Sequence, residues 1–308
     1  MSGRLISVVQ AIHMSIVALF VLFGLSGTVV GAEDQVYDQA LPWNANPLKS
    51  ACPDEASYAW VMYSQDTACI RYFASPGIAK AAVVIVQFYG DRDRIMGKAP
   101  EDIRNNTRRS QEHYAQKQAD RAGIPLIVVA RPGTYGSSGD HRRRRQAEEF
   151  LVINAALDVI KHKHGIKRLV LLGHSGGATV GAALLTLGRT DIQCAVLTSG
   201  AYNLIERHRL LRLAEGKRPR LGLDATGLPH PYDPLDHVDG IVHDAQRRVY
   251  IFGDPRDTVT PFPLQRQFAH ALARQGHWVL LDEYPAVAPE FHNLQGGIGL
   301  KTAAECAR

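Results

Sequence analysis

Several whole classes of protein are excluded by what this sequence lacks. Only 4 of its 308 residues are cysteine, too few for a disulfide scaffold. They stand at positions 52, 69, 194 and 306, with no CxxC and no Cys/His cluster at zinc-ligand spacing. There is no G-x-G-x-x-G and no G-K-[ST], so neither common phosphate cradle is encoded. There is also no internal repeat. Aromatic residues make up 7%, charged residues 21% and hydrophobic residues 45% of the chain, ordinary values that exclude disorder, collagen and coiled coil. The net charge of +5 and pI near 9.0 permit an anionic partner without requiring one, and no nucleic-acid partner is expected.

Charge is also scarce at the N-terminus, where Arg4 is the only charged residue before Glu33. Between them lies the apolar run from Ile16 to Phe23, followed by small residues, with Val30 and Ala32 at the −3 and −1 positions of a signal-peptidase site. The expectation is a signal peptide over 1–32 and a mature chain over 33–308, periplasmic or secreted. The competing reading is an uncleaved membrane anchor, since Met14 to Ala32 is 19 residues, barely enough to span a bilayer. After signal cleavage no stable membrane insertion is expected, because no other stretch is long and apolar enough. Export makes disulfides possible. Cys52 and Cys69 flank the strand-like Tyr58–Tyr63 and are expected to pair across a hairpin, against the alternative of four unpaired thiols. Cys194, in an apolar run, reads as a buried inert thiol, and Cys306 is left unassigned.

What remains alternates between two patterns. Short apolar runs at 82–86, 126–129, 169–172, 195–198, 249–252 and 278–281 are unalternating, as strands buried on both faces of a parallel sheet are. Between them, Phe150, Ile153, Leu157 and Ile160 recur at helical spacing before His164-Gly165 stops the helix. The fold class is therefore α/β, a mostly parallel central sheet with helices on both faces. Residues 202–246 break the rhythm and read as a cap or insertion. The run His141-Arg142-Arg143-Arg144-Arg145 reads as a solvated basic face, with anion binding as the alternative. Glu148 and Glu149 offer partial compensation four residues on.

The third run ends in Gly173-His174-Ser175-Gly176-Gly177, a G-x-S-x-G directly between a strand and a helix of small residues. A sharp turn there exposes the serine hydroxyl, and the helix that follows aims N–H groups at a developing oxyanion. Ser175 is the candidate nucleophile, and His174 is expected to point elsewhere. A base and an orienting acid are then required. The stretch Gly253-Asp254-Pro255-Arg256-Asp257-Thr258-Val259-Thr260-Pro261 follows the next-to-last strand and resembles the acid loop of the α/β-hydrolase superfamily. The resemblance covers about residues 55–308 and implies the α/β-hydrolase fold with Asp257 as the acid; Asp254 is the competitor. His292 follows the last strand and is placed at the sheet edge of Ser175. His277 precedes that strand and belongs at the opposite edge.

The same resemblance implies an oxyanion hole in which Gly176 donates one N–H. The second donor comes from Gln87-Phe88-Tyr89-Gly90-Asp91, where this chain departs from the superfamily's His-Gly or Tyr-Gly-Gly, leaving Tyr89 and Asp91 both open. The loop from Arg131 to Asp140 resembles that of esterase-like and peptidase-like members, making Tyr135 a candidate substrate-pocket residue. The implied activity is acyl transfer by a serine hydrolase without metal or cofactor, acting on a small ester or a short peptide. The ester reading leads. A prolyl-oligopeptidase-like peptidase and a non-catalytic binding protein on the same scaffold are the alternatives.

Overall fold

The computed structural model describes residues 41, 43–44, 49–52 and 57–308. The segment read as an export signal lies outside the described residues. The described chain is organised on eight strands: β1 (Tyr58–Tyr63), β2 (Asp66–Ala74), β3 (Val83–Phe88), β4 (Leu126–Val129), β5 (Arg168–His174), β6 (Ile192–Thr198), β7 (Arg248–Gly253) and β8 (Val279–Glu283). Their order across the sheet is β1-β2-β4-β3-β5-β6-β7-β8. β1 and β2 form an antiparallel hairpin and β2 runs antiparallel to β4; every other pair is parallel. The expected runs thus became β3 to β8 at nearly their predicted limits.

Six helices complete the α/β alternation: α1 (Arg108–Ala122), α2 (Ala147–His164), α3 (Gly176–Thr186), α4 (Leu204–Ala214), α5 (Phe262–Arg274) and α6 (Ile298–Cys306). Two hydrophobic cores lie on opposite faces of the sheet. One takes Phe150, Ile153 and Leu157 of α2, the small residues of α3, and Phe268 and Leu272 of α5. The other takes Ala115 and Ala119 of α1 with Leu300, Ala303 and Ala304 of α6. Strands β3 to β7, covered on both faces, have no polar side to show, which explains their unalternating sequences, whereas β8, at the sheet edge, differs from expectation in leaving Leu280 41% exposed. α2 ends where its sequence says it should, with Gly165 as a left-handed cap at φ 66°.

Two elements carried little sequence signal. α1 buries only Gln111, Ala115, Ala119 and Ala122, so its inner face has no large apolar residue to mark the period. β2 contains Arg71 at its centre, only 1% exposed, with its guanidinium 4.6 Å from the Tyr58 ring and 5.5 Å from that of Phe73. Aromatic faces accommodate the cation where a sequence pattern reads an interruption.

The cysteines correct one expectation. Cys52 and Cys69 are paired as anticipated, with 5.6 Å between their Cα atoms. Cys194, however, is bonded to Cys306 rather than free, at 6.1 Å between Cα atoms. The cause is tertiary: α6 packs on the sheet face formed by β5 and β6, which brings the last turn of the chain onto β6. The bridge spans 112 residues, a loop for which chain entropy predicts about 4.7 kcal/mol of stabilisation. Two disulfides are consistent with an oxidising compartment. Among the described residues no helix is long and apolar enough to cross a membrane.

The segment 202–246 does lie between two strands, β6 and β7. It contains α4 and a 3-10 stretch, Pro234–Gly240. Asp233 ties the segment together by accepting from the Asn203 N–H at 3.2 Å and from the Leu204 N–H at the start of α4. These bonds satisfy donors that a helix N-terminus leaves unpaired.

Candidate active site

The C-terminal ends of β3, β5, β7 and β8 meet at one edge of the sheet, where loops carry the candidate residues. Ser175 caps α3 in a backbone conformation of φ 55° and ψ −123°, a region that non-glycine residues rarely occupy. The turn is held on both sides. The Ser175 N–H donates to the Thr198 carbonyl of β6 at 2.9 Å. A Cβ on Gly177 would fall on the Phe88 carbonyl at the end of β3, so the turn packs directly against that strand. The N–H groups of Gly176 and Gly177 open the helix, where the macrodipole favours negative charge.

Asp257 and His292 come together across 35 residues. His292 Nδ1 lies 2.9 Å from Asp257 Oδ2, and both residues are buried. Asp257 Oδ1 accepts from the N–H groups of Val259 and Thr260, each at 2.8 Å. Its Oδ2 also accepts from the Thr260 hydroxyl at 2.8 Å. A carboxylate with this many donors is fixed in orientation, which is what holding a neighbouring imidazole in place requires. The His292 backbone is pinned too, its carbonyl accepting from the Ser199 hydroxyl at 2.8 Å. Ser175 and His292 line one cleft of about 670 Å³, with the β3 loop and Arg207 among its walls.

The competitors are placed elsewhere. Asp254 binds Arg256 through two oxygens, at 2.8 and 3.0 Å, and accepts from the Ala286 N–H at 2.9 Å. The Arg256 hydrogen bonds hold its carboxyl well below the usual range, so Asp254 organises the acid loop. His277 precedes β8, with its ring 5.9 Å from that of His243. His174 differs from expectation. Its ring sits 4.9 Å from the His292 ring and lines the same cleft. Burial first, and the neighbouring His292 second, bring its pKa down to about 4, so it is neutral at neutral pH.

The β3 loop brings Gly90 beside Ser175, close enough that a Cβ there would stand 3.1 Å from the Ser175 Cβ. The Tyr89 hydroxyl turns away to donate to Gln111 of α1 at 3.0 Å. Asp91 is half-buried and its side chain meets three arginines: Arg131 at 2.8 Å, Arg144 at 3.3 Å, and Arg145. Its desolvation opposes ionisation, but Arg145, Arg131 and Arg144 together outweigh that and hold the carboxyl well below its ordinary range. A Cβ on Gly176 would overlap this carboxylate, so glycine there lets the ion cluster approach the Ser175 turn.

Two sequence readings are corrected here. Arg142 and Arg143 are exposed as expected, but Arg144 and Arg145 are buried at 6% and 1% exposure, bonded to Asp91. A run of like charges cannot reveal that its last two members turn inward to a carboxylate that lies 54 residues before Arg145. Tyr135 lies behind the cleft wall and not in it: it is buried against Trp43 and Tyr89, with ring centroids at 5.4 and 5.7 Å. Thr260, three residues past Asp257 inside the acid-loop pattern, joins the Asp257–His292 pair, its hydroxyl 2.8 Å from Asp257 Oδ2 and 3.3 Å from His292 Nδ1. Arg207 and Arg92 also line the cleft; the sequence marks Arg207 only as the start of an Arg- and Lys-rich segment ending at Arg220, and does not mark Arg92. Among the described residues, no group of three His, Cys, Asp or Glu side chains forms a candidate metal site.

No family profile matches the chain, and no curated protein matches it by sequence. Solved structures do resemble it. An acylaminoacyl peptidase of Pyrococcus horikoshii superposes with a TM-score of 0.52 at 15% identity, covering 82% of this chain and 40% of the peptidase. A Mycobacterium tuberculosis puromycin-hydrolyzing peptidase gives 0.52 at 18%, covering 81% and 39%. The Pyrococcus furiosus esterase Pf2001 gives 0.55 at 13%, covering 88% of this chain and 97% of the esterase. The chain thus spans about 40% of the length of the peptidases it resembles. These likenesses establish the α/β-hydrolase fold.

Asp91→Asn should cost about 3–5 kcal/mol of unfolding free energy, because it leaves buried guanidinium charge uncompensated. Urea denaturation measures this, and a loss below about 1 kcal/mol would mean that the arginines find other partners. His174 makes stability depend on pH. In the folded chain it takes a proton only near pH 4, but in the unfolded chain it does so below its ordinary value of 6.5. Its contribution is therefore complete above pH 6.5 and is lost as pH falls from there toward 4. The drop in unfolding free energy between pH 7.5 and pH 5 should be smaller in His174→Gln than in the wild type.

Proposed function

We propose that this chain is a serine hydrolase that cleaves a small carboxylic ester through an acyl-enzyme. The observation that carries the reading is the His292–Asp257 contact at 2.9 Å beside a cleft that also holds Ser175 on its strained turn. In the proposed mechanism Ser175 Oγ attacks the ester carbonyl while His292 Nε2 takes its proton. Asp257 accepts from the Nδ1–H and stabilises the imidazolium. The Gly176 N–H donates to the oxyanion. The Asp91 N–H supplies the second donor in place of the Tyr89 hydroxyl, which is engaged with Gln111. His292 then protonates the departing alkoxide, and water, activated by the same imidazole, hydrolyses the acyl-serine.

The ester reading draws on the esterase neighbour, 97% of whose length this chain covers. The peptidase neighbours support amide hydrolysis as the second reading. Segment 202–246 acts in either case as a small cap, since Arg207 from it forms part of the cleft wall. The mature chain begins near residue 33 and works in an exported compartment, a reading that the two disulfides support.

Ser175→Ala should lose fluorophosphonate labelling and reduce turnover at least ~10³-fold, and His292→Ala should do the same to turnover while His277→Ala does not. The assay pairs 4-nitrophenyl esters with aminoacyl-4-nitroanilides, using Ser175→Ala as blank. Cleavage of anilides alone would select the peptidase reading, and labelling that survives Ser175→Ala would overturn the nucleophile. Non-reduced peptide mapping of secreted protein should find an N-terminus near Glu33 and the pairs Cys52–Cys69 and Cys194–Cys306. A retained Met1 would favour the membrane anchor.

A further inference from the structure

The cleft contains two arginines that the proposed acyl transfer does not use. Arg207 extends from the first turn of α4 into the cleft wall and is 7% exposed. Its Nε donates to the Val259 carbonyl at 2.9 Å, and among the described residues no carboxylate lies within 4.0 Å of its guanidinium. The carboxylates nearest to it are already engaged: Asp91 by three arginines, and Asp257 by His292 and Thr260. Burial, followed by repulsion from Arg145, lowers its pKa to about 10, so it remains a cation at neutral pH. Arg92, half-buried, is the second. Its guanidinium lies 4.6 Å from the Tyr89 ring, and its buried Nε has no hydrogen-bond partner among the described residues. The third cleft arginine, Arg94, is committed to Glu290 at 2.6 Å.

A guanidinium removed from water without a carboxylate beside it is costly, and the fold has matched Arg131, Arg144 and Arg145 while leaving these two unmatched. A planar fork of N–H donors is suited to a carboxylate, which it binds with two parallel hydrogen bonds. We propose that Arg207, with Arg92 as a second cation, binds a carboxylate carried by the substrate, so that the ester cleaved at Ser175 belongs to an acid or alcohol bearing a further negative carboxylate. The assignment rests on the hydrolase reading above. It deepens that reading by naming the substrate class.

The test compares kcat/KM within two matched pairs. Mono-4-nitrophenyl glutarate against 4-nitrophenyl pentanoate places the charge on the acyl side, and 4-acetoxybenzoate against 4-acetoxybenzamide places it on the leaving group. The wild type should favour the anionic member of one pair by at least ~10-fold, which also says which side Arg207 reads. Arg207→Gln should cut that preference ~10–100-fold, Arg207→Lys should restore part of it, and Arg92→Gln should cut it less. Added salt should shrink it as well. No anionic preference in the wild type would overturn the proposal. So would an equal loss on both members in Arg207→Gln, which would reduce the residue to its tie with Val259. Arg92→Gln keeps the test decisive if Arg207→Gln fails to fold. If Ser175 takes no fluorophosphonate and no ester is cleaved, the hydrolase reading falls and this assignment with it. Labelling and neutral-ester cleavage without preference would overturn the assignment alone.

Discussion

The geometry of the site depends on one carboxylate. Asp91 reaches from the loop after β3 to Arg131 in the loop after β4 and to Arg144 and Arg145 in the turn before α2. Arg131 is shared with Glu149 of α2, and Arg145 lies 3.8 Å from Asp224 in the insertion. Four separate segments are thus fastened by the need to neutralise buried guanidinium groups. Each such group left alone would cost several kcal/mol, so the segments have few alternative arrangements. Because the Asp91 carboxylate also packs against Gly176, the cluster fixes the β3 loop relative to the Ser175 turn.

Strain is placed next to this rigidity. Ser175 occupies a positive-φ conformation that costs on the order of 1–3 kcal/mol. It persists because its N–H is bonded to β6 and its following glycines are wedged against β3 and Asp91. The acid loop shows the opposite economy. Asp257 accepts three hydrogen bonds from Val259 and Thr260 besides its contact with His292, so the carboxylate serves as a fixed direction for the imidazole. His174, neutral beside His292, adds an aromatic wall without a competing charge.

The chain's positive charge is distributed accordingly. Of the arginine run, Arg142 and Arg143 face solvent, and Arg144 and Arg145 are consumed internally. Among the described residues the cleft keeps Arg207 and Arg92 without a carboxylate partner, a local arrangement that the overall balance of +5 does not reveal. A bulk property of the composition therefore says little about the site.

The sequence by itself determined the strand runs β3 to β8, the stop of α2 at Gly165, the strand–turn–helix around Ser175 and the positions of Asp257 after β7 and His292 after β8. These are local facts: an apolar run covered on both faces, a glycine cap, a serine between glycines, and an acid and a histidine each placed after a named strand. Tertiary structure alone decided the rest. β2 and α1 were obscured because a buried arginine and an alanine-lined face break the usual periodicity. The Cys194–Cys306 bridge, the inward turn of Arg144 and Arg145, the withdrawal of Tyr135 behind the cleft, and the placing of Arg207 in it all join residues far apart in the chain. Which partner a buried charge or thiol finds is set by how the elements pack, and no local pattern encodes that distance.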